Sequence, residues 1–91
     1  MKIYDYNGKA NIIGPRLKTA RKHMGYSQDT LAIKMQLENI EISQKVISRI
    51  EKQERFVTDY ELLAFSKILN VSIYWLLGVE SPVQGQTGKL L

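Results

Sequence analysis

The sequence contains no cysteine, a single histidine (His23), two prolines and one tryptophan in 91 residues. Without cysteine there is neither a disulfide framework nor a thiolate zinc site, and one histidine cannot build an imidazole metal site. Stability has to come from packing, and no cofactor is expected. Long apolar runs are also missing: none approaches the roughly 18 residues needed to span a bilayer. The opening stretch, Met1 to Ile13, mixes Lys2, Asp5, Asn7, Lys9 and Asn11 among its apolar residues and has no continuous apolar core of the secretory kind. A cytoplasmic protein without membrane contact is the expectation. The length suits one domain, and 44% hydrophobic against 24% charged residues is the balance of a globular chain.

What is present is positive charge, and it is unevenly placed. The formal net charge is +4 with a sequence pI near 9.4. Residues 1–58 hold 11 Lys and Arg against 6 Asp and Glu, whereas residues 59–91 hold 2 against 3. A basic surface confined to the first two thirds favours an anionic partner such as nucleic acid or an acidic membrane face.

Helix signals follow one another closely along the middle of the chain. Pro15 suits a first helical position, where its missing N–H would be unsatisfied in any case. Leu17, Ala20, Arg21 and Met24 then share one face of a first helix that Gly25 ends. Ser27 is a good N-cap for a second helix, with Asp29 at the positive end of its dipole and Leu31, Ala32 and Met35 inward. That helix is expected to run to Glu38, with Asn39 closing it in a left-handed conformation. Ser43 is the next N-cap, and a third helix is expected over Gln44 to Lys52, apolar at Val46, Ile47 and Ile50. Thr58 with Glu61 three residues on forms a capping-box signature for a fourth helix. Its Leu62, Phe65, Ser66 and Leu69 are expected to face inward, and Asn70 can close it. Ser72 caps a short fifth helix, Ile73 to Leu77, ended by Gly78, whose Trp75, Leu76 and Leu77 are placed against the bundle. No strand-length alternation occurs, so at most a minor strand pairing is expected. The division implied is an arm at 1–12 containing the Asn7-Gly8 turn signal, a domain at 13–78, and a tail at 79–91 carrying Pro82, Gly85 and Gly88.

Two helices joined by a turn, the second opening with Ser-Gln-Lys and offering Arg49 further along, have the chemistry needed to read DNA. A helix fits the major groove, its first residues point at base edges, and its amide end attracts phosphate. Gln44 can pair with adenine, Lys45 and Arg49 can donate to guanine, and Val46 can meet a thymine methyl.

The segments RLKTARKHMGYSQDTLA, ISQKVISRIEKQER and ELLAFSKILNVSIYWLLG resemble, in order and spacing, the phage-repressor/Cro (XRE-like) helix-turn-helix family over residues 13–78. The resemblance implies an all-α, five-helix, lambda-repressor-like DNA-binding domain acting as a transcriptional regulator, read as a repressor. It implies double-stranded DNA as partner, homodimerisation on DNA, and a recognition helix starting near Ser43. By motif position Ser43, Gln44, Lys45, Val46, Ser48, Arg49 and Lys52 are DNA-contact candidates. Gln28 matches a glutamine that holds the phosphate backbone, and Arg21 with Glu51 matches an internal ion pair. The sequence departs from the pattern in a longer turn between Leu31 and Ser43, in Gln53 where glycine is frequent, and in Val46 where Thr or Ser is frequent. The extended turn is expected to set Leu37, Ile40 and Ile42 partly against the bundle and Glu38 and Glu41 outward.

Blander readings accompany each of these. Runs of helical charge such as Arg16, Lys18, Arg21 and Lys22 are usually solvated faces. His23 is a solvated helix residue, and Glu38 with Glu41 reads as solubilising charge, since no nucleophile or pocket signature supports an enzyme. Trp75 fits either a core cap or a dimer patch. The rival from another class is a protein-interaction module, an antitoxin-like domain with a protein partner docked on its tail.

Overall fold

The computed structural model describes residues 5–79 and consists of five helices: α1 (Gly14–His23), α2 (Gln28–Leu37), α3 (Gln44–Glu51), α4 (Asp59–Leu69) and α5 (Ile73–Leu77). Among the described residues the only strand-like feature is one antiparallel bridge between Tyr6 and Lys9, across the Asn7-Gly8 turn. No helix there is long and apolar enough to cross a membrane. Met1 to Tyr4 of the arm, and the expected tail beyond Val79, lie outside the described residues.

Helices α2 to α5 each begin where a short polar side chain can satisfy amides that have no partner inside the helix. The hydroxyls of Ser27, Ser43, Thr58 and Ser72 accept from the N–H groups of Thr30, Val46, Glu61 and Trp75. At Thr58 the box is complete, because Glu61 Oε1 accepts in return from the Thr58 N–H at 3.0 Å. The ends are equally local. Asn39, Gln53 and Asn70 adopt left-handed φ of 63°, 64° and 55°.

One core joins all five helices: Ile13, Leu17, Leu31, Met35, Ile42, Ile47, Ile50, Phe65, Leu69 and Leu76 are buried together. Met24, which shares a face with Leu17 and Ala20, and Leu37, expected partly against the bundle, are not part of it. Met24 stands at the end of α1, beyond the layer that Leu17 and Ala20 fill, and is 38% exposed. Leu37 is 77% exposed, because α2 ends there and the chain turns away, leaving Ile40 and Ile42 to pack inward. Leu62 and Ser66 are half-buried, Ser66 donating its hydroxyl to the Val71 carbonyl at 2.6 Å. Trp75 also sits at the rim, with the Arg16 guanidinium 5.7 Å from its ring centroid, while Leu76 takes the fully buried position on α5.

The segment before α1 is tighter than a loose leader from Ala10 onward. Ala10 N–H donates to the Gln53 carbonyl at 3.0 Å, and Ile13 and Gly14 are buried. Gly14 has no room for a side chain. A Cβ there would lie 2.5 Å from the Ile50 carbonyl oxygen and 2.8 Å from that of Glu51. The start of α1 therefore seats directly on the end of α3.

Candidate nucleic-acid interface

The α3 helix is short and split by exposure. Ile47 and Ile50 are fully buried, whereas Gln44, Lys45, Arg49 and Lys52 are exposed. Lys52 is the C-cap rather than a helical residue, since α3 closes at Glu51. Val46 is half-buried and packs on the core, and Ser48 is half-buried beside it. The polar face is thus a strip of Gln44, Lys45 and Arg49 on a helix held by two buried isoleucines.

Behind that strip runs a connected set of polar side chains from three helices. Arg21 on α1 donates to Glu51 through Nε to Oε2 at 2.6 Å and through Nη2 to Oε1 at 3.1 Å. Its Nη1 donates to the Tyr26 carbonyl at 2.9 Å, so each of its three nitrogens has an acceptor. Both members are buried, with 7% and 8% exposure. A buried charge pair holds only when geometry is good and remaining lone pairs are met. Gln28 at the start of α2 meets one of them, its Nε2 donating to Glu51 Oε1 at 2.9 Å. Gln44 Nε2 in turn donates to Gln28 Oε1 at 2.6 Å. The chain Arg21, Glu51, Gln28, Gln44 links α1 to the end of α3, to α2, and back to the exposed start of α3.

The remaining named residues are placed as follows. Ser43 caps α3 through Val46 N–H at 3.2 Å and is exposed. Arg49 reaches toward the Glu54 carbonyl at 3.5 Å, along the exit loop. In the connection between α2 and α3, Glu38 and Glu41 are exposed, and Glu38 Oε1 lies 3.4 Å from Lys67 Nζ on α4. That contact joins the longer connection to α4.

Sequence reasoning named the residues of the exposed polar strip and missed what supports it. The bond from Gln44 to Gln28 has no local signal, because the two residues lie 16 positions apart. Asn11 and Gly14 were also missed. Asn11 Nδ2 donates to the carbonyls of Ile50 (3.0 Å) and Arg55 (2.8 Å), and its Oδ1 accepts from Gly14 N–H at 2.8 Å. A glycine directly before a helix-starting proline was the available clue to a close approach.

A bundle in which α2 and α3 pack together, with the start of α3 outward and polar, is a helix-turn-helix domain. A family model described as Helix-turn-helix matches residues 17–76, and the chain belongs to that family, in its phage-repressor/Cro branch. Among solved structures it is similar to the P22 c2 repressor protein, crystallised in complex with synthetic operator 9T in the presence of Tl+. The two share 28% identity with a TM-score of 0.60, over 77% of this chain and 98% of that one. No curated protein gives a significant match.

Proposed function

We propose that this protein is a sequence-specific DNA-binding transcriptional regulator, acting as a repressor, that reads the major groove with α3. The observation that carries the reading is the prearranged start of α3. Gln44 is exposed yet held by Gln28, which is itself fixed on a buried ion pair. A glutamine so oriented keeps its amide oxygen and its second N–H for an adenine edge, which needs one acceptor and one donor in one plane. Holding it in place before DNA arrives reduces the side-chain entropy lost on binding.

The other roles follow from position. Lys45 and Arg49 supply donors suited to guanine O6 and N7, and Val46 offers an apolar contact beside them. The second amide hydrogen of Gln28 and the hydroxyls of Ser43 and Ser48 are suited to phosphate oxygens, which set register without reading sequence. Lys52 is a further phosphate candidate. The P22 c2 repressor complex supports duplex DNA as the partner. Repression requires nothing beyond occupancy of an operator that overlaps a promoter.

Selection of bound sequences from a random duplex pool tests this reading. Enrichment of a short motif, ideally a two-fold repeated one, is the expected result. Recovery of unenriched DNA with salt-dependent binding alone would leave only a nonspecific role.

A further inference from the structure

The corner where the arm meets the end of α3 is built more carefully than packing requires. Asn11 places both amide hydrogens on carbonyls there, those of Ile50 and Arg55, and its oxygen on Gly14 N–H. Gln53 Nε2 donates back to the Asn11 carbonyl at 3.1 Å, and Ala10 N–H donates to the Gln53 carbonyl at 3.0 Å. Gln53 holds a left-handed φ of 64° within this clasp. The residues just before the bonded pair, Lys9 and Lys52, are both exposed, so the clasp brings two cations to one corner. Asp5 and Glu54 are exposed as well, as is Arg49.

The eight residues of α3, at about 1.5 Å each, span roughly 12 Å, about the width of the major groove. If the Gln28 and Ser43 end lies by one phosphate wall, the Lys52 end lies by the other. We propose that Asn11 is a positioning residue that clasps the N-terminal arm to the exit of α3, so that Lys9 joins Lys52 as a contact to the DNA backbone opposite the Gln28 end. The inference rests on the DNA reading above and adds a second, arm-borne phosphate contact to it.

The test compares wild type, Lys9→Gln, Asn11→Ser and the double variant on a selected duplex and on random duplex between about 50 and 200 mM salt. Serine leaves an acceptor near Gly14 N–H but cannot reach the two carbonyls. Each phosphate contact contributes roughly 0.9 to the log-log salt slope. Lys9→Gln should flatten the wild-type slope by about that amount on both duplexes. Asn11→Ser should flatten it similarly, and in that background Lys9→Gln should add nothing. An unchanged slope for Lys9→Gln, or the same loss in both backgrounds, overturns the proposal. Lys9 is exposed, so Lys9→Gln decides the phosphate contact whatever Asn11→Ser does to folding. A wild type that fails to prefer the selected duplex removes the DNA reading itself. One that does prefer it, while Lys9→Gln keeps its slope, removes only the role of the arm.

Discussion

At the scale of single residues, Glu51 is buried and its carboxylate accepts from Arg21 on α1 and from Gln28 on α2. Glu51→Ala should strand the Arg21 guanidinium in a poorly solvated site and free Gln28, at a cost of about 3–5 kcal/mol. Denaturant unfolding would measure it, and a loss below about 1 kcal/mol would mean the pair contributes little. Gly14→Ala should also destabilise, by about 1–3 kcal/mol, because the added methyl meets two backbone carbonyls that cannot rotate away. Gln53 carries opposed effects. Its left-handed backbone costs up to about 1–2 kcal/mol relative to glycine, yet its side chain bonds to the Asn11 carbonyl. Of these three residues, Glu51 was legible from the family resemblance, and so was Gln53, as a departure from the frequent glycine there. The crowding at Gly14 was not, because it depends on carbonyls 36 and 37 positions further along the chain.

At the scale of elements, α3 separates a buried apolar face from an exposed polar one. Ile47 and Ile50 hold it, and Lys45 and Arg49 are exposed. Lys45→Ala and Arg49→Ala should each weaken specific binding by about 1–3 kcal/mol while leaving the melting temperature near its wild-type value. Equal losses on specific and random duplex, seen in parallel titrations, would reassign both residues to the phosphate backbone. The connection before α3 divides in the same way. Ile42 is buried and Leu37 is largely exposed. Ile42→Ala should cost about 2–5 kcal/mol on unfolding, whereas Leu37→Ser should cost little. The helix boundaries were legible because serine, threonine and asparagine caps act within a few residues of themselves. The fate of Leu37 was not, since apolar residues in a connection give no period from which to infer a facing side. The Glu38 to Lys67 contact between the connection and α4 joins residues 29 positions apart.

At the scale of the whole molecule, one eight-residue helix laid in a major groove would reach only a few base pairs, and each correct pair contributes about 1–3 kcal/mol of discrimination. A single copy therefore falls short of the roughly 10⁻⁸ to 10⁻¹¹ M affinity usual for specific sites. Two copies on a two-fold repeated site add their contacts, provided both α3 helices meet the groove on the same side of the duplex. That condition fixes half-site centres about 34–36 Å apart, one helical turn. Tyr74, Trp75 and Val79, near the C-terminal end of the described residues, are exposed. Specific binding should consequently rise with the square of protein concentration below saturation. Inserting about five base pairs between half-sites should abolish the gain by rotating one site to the opposite face, and inserting about ten should restore part of it. A titration with one protein per duplex, indifferent to spacing, would show that recognition is complete within a single copy. The arm and the exit loop would then have to supply the missing contacts.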